Sequence, residues 1–422
     1  MANLNTAKTI EVMFDEVVMQ LEEQNQMAML CGHYNMAGAR TQNSNNIEWR
    51  VVEQQAATSE GWEFVDADFT SLVEQSFPST LGMPQNGLLG IRVDDLRDPR
   101  FKERWAKAEA QRLSAQQNQL IATTVVNTGS IFYRLTTAGY DFIKTADTIL
   151  KERQTHTMGQ SFFVNDRNAQ QISSDLANRS NMHGLPETVY KNGMMAYNTG
   201  GFDIYEASYL PSLSGGTLAG VTVTSAISQA PVGFTTTAGT QVPVDYRISE
   251  DIELTGTLTN LVVGDYITFA NVNAVGLQDK TNTGQLMTFK VVEKTGQNIK
   301  VYPKPIAADD AGLTAIQQAY ANINTQIGAG AAVTKLNTDT SARTNVFWAN
   351  DSIEIVDGDA PWEMLGDLDG MEVKSATLAS GTRLYMIYQA SINNGQLKCR
   401  LFTWNNVVNK NPSANGVAIL GS

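Results

Sequence analysis

Three histidines and two cysteines are the chain's whole stock of imidazole and thiol side chains, and they are placed poorly for chemistry. Cys31 and His33 lie one residue apart, closer than zinc-finger ligands are spaced, and no second half of a site follows. His156 and His183 stand away from every other His or Cys. A Ser-His-Asp set can be assembled from distant positions, but no G-x-S-x-G turn is present to expose a nucleophile. The adjacent carboxylates Asp94-Asp95 and Asp309-Asp310 point apart as neighbours do, and their turn-like contexts favour capping or ion pairing over acid–base work. Asp367-Leu368-Asp369-Gly370 opens like a calcium loop but lacks the third oxygen ligand and the closing Glu, so it reads as a turn. Gly328-Ala329-Gly330 starts a dinucleotide fingerprint, yet Val333 occupies the third glycine position and no strand precedes it. Met13, Met19, Met27, Met29 and Met36 read as core or interface material. The expectation is a protein that is not an enzyme, with no catalytic, cofactor-binding or metal residues.

The elements that carry these residues must account for the rest. The chain has 422 residues, 42% hydrophobic and only 17% charged, so large faces have room to be covered by something other than water. A net charge of −13 argues against a surface that grips nucleic acid through its phosphates. The start, MANLNTAKTIEVMF, lacks the basic and long apolar runs of a signal peptide. No run of about 18 apolar residues occurs, which predicts no membrane-spanning helix. With so few cysteines, the expectation is a protein made in a reducing cytoplasm.

From Thr9 to Leu30, Ile10, Met13, Phe14, Val17, Val18 and Leu21 recur at helical spacing. Glu11, Asp15 and Glu22 share one flank of that helix, and Glu16 and Glu23 form a neighbouring row. No Lys or Arg occurs between Lys8 and Arg40, so these carboxylates have no local partners. Pairs of like charge at this spacing cost an isolated helix about 0.2–0.5 kcal/mol each. Either a solvated face or a docking face follows. Ile47 to Gln54 reads as a strand and Phe64 to Phe77 as its return, an excursion with too little core to stand alone. Asp98 as N-cap, Pro99 at the first helical position and Gly129 as terminator bracket a helix of about 40–45 Å. Its first half reads as charged and exposed, whereas Leu120, Ile121, Val125 and Val126 read as buried. Asp141 to Arg153 and Ala169 to Asn178 read as helices around a short buried strand at Ser161 to Val164. After Gly215-Gly216 the chain turns rich in Thr, Val and Gly. Short strands follow at Val221 to Ser225, Ile252 to Leu258 and Tyr266 to Ala270, then a hairpin around Thr295-Gly296. From Val346 the mixed pattern resumes, with strands at Ile353 to Val356, Arg383 to Gln389 and Leu397 to Phe402. A β-rich block therefore interrupts an α+β domain.

Two stretches carry a resemblance. One is Val301 to Val356, with VYPKPIAADD, QQAYANINTQ and ARTNVFWANDSIEIV in that order. The other is RVDDLRDPRFKERW from Arg92 to Trp105. Both resemble the major coat protein of short-tailed lambdoid phages of the Salmonella and Shigella podovirus type. The resemblance implies an α+β, HK97-like capsid fold with an N-terminal arm, extended loop and long spine helix, interrupted by a small antiparallel β-barrel. The implied boundaries are 1–45 for the arm, 46–218 and 343–422 for the core, and 219–342 for the inserted domain. Within the core, the extended loop falls at about 47–80 and the spine helix at about 98–129. It also implies self-assembly of hexamers and pentamers into an icosahedral procapsid on a scaffolding protein, in the host bacterial cytoplasm. The procapsid would take a portal protein, fill with double-stranded DNA bound without sequence preference, and mature by expansion. No membrane is involved. By the same resemblance Asp15 and Glu16 contact the scaffold, and Glu60, Trp62, Arg92, Asp94, Asp95, Arg97, Lys102 and Arg104 lie at subunit interfaces. Thr235, Thr236 and Thr237 lie at another such interface, where the family's charged loop is replaced by the nearly uncharged FTTTAGTQVPVD. Arg343, Asn345, Phe347 and Trp348 mark the junction of the two domains. The competing readings are a hydrolase with an appended β-domain and a ligand-binding phage tail protein.

Overall fold

A computed structural model of the chain describes residues 3–24, 26–36, 47–54, 62, 73–92, 99–137, 139–156, 159–179, 194–237, 239–338, 341–358, 372–391 and 396–421. The elements begin with α1 (Asn3–Gln24), α2 (Gln26–Met29), β1 (Gly32–Met36), β2 (Ile47–Gln54), β3 (Val73–Thr80), β4 (Gln85–Arg92) and α3 (Pro99–Thr128). Next come β5 (Ile131–Leu135), α4 (Tyr140–Glu152), β6 (Gln160–Val164), α5 (Asp166–Arg179), β7 (Met194–Thr199), β8 (Phe202–Glu206) and β9 (Ser212–Ser214). The middle of the chain forms β10 (Thr222–Val223), β11 (Phe234–Thr237), β12 (Thr240–Pro243), β13 (Ile252–Thr255), β14 (Tyr266–Val275), β15 (Asn282–Thr295) and β16 (Asn298–Tyr302). It ends with α6 (Ala315–Gln318), β17 (Val333–Lys335), β18 (Ser341–Ala349), β19 (Ile353–Gly358), β20 (Glu372–Thr377), β21 (Arg383–Ser391), β22 (Gln396–Thr403), β23 (Asn405–Asn409) and β24 (Asn415–Leu420).

The chain divides into two units. The first gathers Met1–Glu48, Ser79–Ala122 and Ile353–Val408. Its antiparallel sheet has the order β20-β21-β22-β4, and β1 pairs in parallel with β19 in a second sheet. The helical stripe Ile10, Met13, Phe14, Val17 and Leu21 of α1 is buried as its spacing requires. It packs in one core with Leu384, Met386 and Leu401 from the sheet and Trp105, Ala106, Ala110 and Leu113 from α3. The first half of α3 therefore carries a buried stripe as well as exposed charges, a difference from the sequence expectation. Trp105 and Leu113 supply its bulk, and Ala106 and Ala110 let the neighbouring elements approach closely.

The second unit gathers Trp49–Pro78, Thr123–Ser352 and Asn409–Ser422. One sheet runs β5-β24-β18-β6-β8-β7, with β9 paired to the start of β18. Phe142, Ile143 and Leu150 of α4 and Ile172 of α5 pack with its Phe162, Phe202 and Phe347. A separate antiparallel sheet has the order β10-β13-β16-β15-β14-β17. Its two ends meet: Val223 N donates to Ala331 O (3.0 Å) and Val333 N to Val221 O (2.9 Å). The sheet is thereby closed into a small barrel with no free edge. Leu254, Ile267, Phe269, Phe289, Val291 and Val301 fill it. The β15–β16 hairpin turns at Gly296, whose φ of +65° suits glycine, and Thr295 pairs with Asn298 across it.

Candidate functional site

The side chains best suited to chemistry are occupied by the fold. His33 lies on β1 with Nε2 3.9 Å from Asp357. That carboxylate is fully buried and accepts the backbone N–H groups of Arg383 (2.7 Å) and Gly358 (3.1 Å). Burial, with Arg383 beside it, holds the His33 imidazole below its usual pKa. The Cys31 thiol donates to Met27 O (3.3 Å). Burial pushes the Cys399 thiol up to about 12, so at neutral pH it is an inert core group. Asp309 accepts from Gln326 N (3.0 Å), while Asp310 accepts from Ser228 Oγ and Gly312 N, so both carboxylates tie loops. Gly330 supplies a turn at φ +77° just before β17. Among the described residues no cluster of His, Cys, Asp and Glu is arranged to hold a metal. His183, Asp94, Asp95, Asp98, Asp367 and Asp369 lie outside the described residues.

The residues expected to meet other chains are spread over several elements. On α1, Asp15 is exposed and Glu16 half-buried, and exposed Val12 and Met19 stand one turn to either side. The acidic flank has partners the local sequence did not reveal. Lys374 of β20 pairs with Glu11 (2.8 Å), and Glu22 accepts the Ala379 N–H (2.9 Å). Trp62 is fully exposed. Arg92 ends β4 and is exposed; Arg104 is exposed on α3, its Nε donating to Arg100 O (3.2 Å). Lys102 lies on α3. Glu60 and Arg97 lie outside the described residues. Thr235, Thr236 and Thr237 form most of β11, which among the described residues pairs with β12. Thr235 and Thr236 are exposed, with Phe234 and Val242 exposed beside them. Asp245, the carboxylate that ends this stretch of sequence, is taken by Arg247 (2.9 Å).

Arg343, Asn345, Phe347 and Trp348 lie on β18, in the middle of the mixed sheet. Arg343 is exposed; the other three are fully buried. Asn345 Oδ1 accepts from the backbone and side-chain amides of Asn165 (both 3.0 Å), and its Nδ2 donates to Ala418 O (3.1 Å). Thr344 Oγ1 donates to Pro211 O (2.6 Å). Phe347 stacks on Phe162 (5.7 Å) and Trp348 on Phe163 (4.7 Å). With every polar group of Asn345 satisfied and both rings packed, this segment serves cohesion.

Two features were missed in the sequence. Asp147 of α4 is fully buried and sits beside Lys144 (2.5 Å), Lys151 (2.8 Å) and His156 (3.4 Å). Burial pushes its carboxyl up, but hydrogen bonds from Lys144 and Lys151 outweigh that and leave it below the usual carboxylate range. The i, i+3 and i, i+4 spacing of the lysines was the legible signal. The second is a cavity of about 230 Å³ lined by Thr123, Asn127, Leu213, Val263, Lys290 and Asn337 among others. Burial lowers the Lys290 ammonium to about 7. Asp265, also in the lining, is held by Lys335 (2.8 Å) and by Asn337 Nδ2 (2.8 Å).

Among the described residues, the groups singled out for chemistry are thus engaged in structure. A family model described as "P22 coat protein - gene protein 5" matches residues 1–421. The chain belongs to the P22 coat protein family. It is a major capsid protein, associates with copies of itself in a shell, and resides in the virion capsid. The family is structural, not enzymatic. The expected α+β fold with a small antiparallel β-barrel in the middle of the chain holds. Similar solved structures include the CUS-3 coat protein I-domain, 28% identical, covering 29% of this chain and 100% of that one with a TM-score of 0.24. The capsid of Ralstonia phage GP4 is 7% identical, covering 90% and 81% of the two chains (TM-score 0.40). A Mycobacterium phage Che8 chain is 10% identical, covering 90% and 86% (TM-score 0.37).

Proposed function

We propose that this coat protein assembles on a scaffolding protein, in the host cytoplasm, into a procapsid of hexamers and pentamers. The procapsid carries a portal protein, is filled with double-stranded DNA, and expands. The observation that carries this reading is the coat-protein family match across residues 1–421. The net charge of −13 supports an inner wall that does not adsorb packaged DNA. Residues 1–45 act as the arm, 219–342 as the inserted domain, and the remainder as the core. The closed barrel within 222–335 supports the inserted boundary.

The scaffold meets α1 through Asp15 and Glu16. Support comes from exposed Asp15 and half-buried Glu16 standing between exposed Val12 and Met19, a mixed apolar and acidic face suited to a basic amphipathic partner. Neighbouring subunits meet through the extended loop with Glu60 and Trp62, through the mixed charges of Arg92, Asp94, Asp95, Arg97, Lys102 and Arg104, and through the β11–β12 hairpin. The segment at Arg343, Asn345, Phe347 and Trp348 joins the inserted barrel to the core. The test is assembly kinetics followed by light scattering for Asp15→Ala with Glu16→Ala. Scaffold-dependent assembly slows in the variant while the monomer stays folded. Unchanged kinetics would remove the docking role of α1.

A further inference from the structure

Two places in the inserted stretch hold chain from far away in sequence. At the first, Arg247 is buried and its guanidinium makes two hydrogen bonds to Asp245 (2.9 and 3.0 Å). Its Nη1 donates to Asn409 O (2.5 Å), and the group lies over the Phe77 ring of β3 at 4.7 Å. Around it, Ser76 Oγ donates to Gly233 O (3.2 Å), Tyr246 N to Ser76 O (3.4 Å) and Tyr320 OH to Val52 O (2.8 Å). The base of the β2–β3 hairpin is gripped on both strands.

At the second place the grip is on the C-terminal end of α3. Val126 O accepts from Lys290 Nζ and from Tyr266 OH (2.7 Å), and Lys290 also donates to Asn127 Oδ1 (3.1 Å). Thr128 O accepts from Asn409 Nδ2 (3.0 Å). Thr288 Oγ1 donates to Ser130 O and accepts from Phe132 N (3.2 Å). Carbonyls at a helix end need such donors, and here the barrel and β23 provide them.

The two grips are one connected set. Lys290 stands directly opposite Tyr302 across the β15–β16 ladder, and the Tyr302 ring lies 5.7 Å from the Arg247 guanidinium. Asn409 closes the circuit by giving its carbonyl to Arg247 and its amide to Thr128. We infer that Arg247 is a coupling residue: it transmits the position of the β2–β3 hairpin base to the C-terminal end of α3. The physical ground is the geometry of guanidinium, a planar fork whose donors are committed in fixed directions. A buried guanidinium that loses partners carries a large penalty, so it moves together with its partners instead of releasing them. This goes beyond the assembly reading, because the coupling belongs to the single chain and needs no shell.

The test is amide hydrogen exchange on the purified full chain. Phe77→Leu removes the ring under Arg247 and leaves the Arg247 bonds to Asp245 and Asn409 in place. In an otherwise unaltered chain it accelerates exchange at Gly129, Ser130 and Phe132 by about fivefold or more, as well as within Val73–Thr80. In an Arg247→Lys background, which keeps the charge but loses the fork, adding Phe77→Leu produces no further acceleration at those three amides. Acceleration confined to Val73–Thr80, or the same added acceleration in both backgrounds, overturns the proposal. If Phe77→Leu does not fold, Ser76→Ala, which deletes only the hydroxyl bond to Gly233, is read by the same two outcomes.

Discussion

Asp147 is a buried carboxylate whose charge is kept by its neighbours. Its folded pKa is lowered, so folding is linked to its ionisation with a definite sign. The stabilisation is complete above the unfolded carboxylate value of about 3.9 and is lost as pH falls through the lower folded value. Asp147→Asn removes this dependence and costs about 1–3 kcal/mol at pH 7. Urea unfolding at pH 7 and pH 3.5 checks both: the stability gap between variant and parent narrows on the acid side. An equal gap at both pH values contradicts the linkage. Such networks were only half legible. Lys144 and Lys151 stand at readable helical spacing from Asp147. Arg247, by contrast, acts on Phe77 and Asn409, and no local pattern connects residues so far apart. The same holds for α1, whose acidic flank looked unpartnered because Lys374 comes from the other end of the chain.

At the scale of elements, those with local signals were legible and those without were not. Pro99 and Gly129 bracket α3 as expected; Gly129 N donates to Val125 O (2.8 Å) to finish it. The β15–β16 hairpin followed from its Thr-Gly turn. Strand β4 escaped notice because its pattern, QNGLLGIR, contains two glycines and little alternation; it is ordered by pairing along its whole length with β22. The contact face of α3 was read as exposed because Trp105, Ala106, Ala110 and Leu113 are set among charged residues of the same turns. That stripe yields an element-level prediction. Ala110 is fully buried in the core shared with α1. Ala110→Phe overpacks it and costs about 1–3 kcal/mol, whereas Lys107→Ala on the exposed side stays within about 0.5 kcal/mol. Thermal unfolding of the two variants separates these outcomes, and equal midpoints would contradict the packing assigned to α3.

At the scale of the whole molecule, the exposed, uncharged β11–β12 hairpin bears on how shells hold together. Thr235, Thr236, Phe234 and Val242 offer hydrogen bonds and apolar area in place of ion pairs. Contacts of that kind are weakly screened, so the loss of shell stability caused by Thr235→Ala with Thr236→Ala is expected to be the same at 0.05 and 1 M salt, concentrations at which the Debye length falls from over 10 Å to about 3 Å. A loss that shrinks steeply with added salt, followed by sedimentation, would contradict an uncharged contact at this hairpin. Individually weak contacts are sufficient in a closed symmetric shell because each is repeated at every equivalent position. The most direct measurement of the central claim is sedimentation with electron microscopy of the purified chain, alone and with a candidate scaffolding protein. The account predicts closed shells of uniform size when the scaffold is present and aberrant or fewer particles without it. A chain that stays a monomer or small oligomer under both conditions contradicts it.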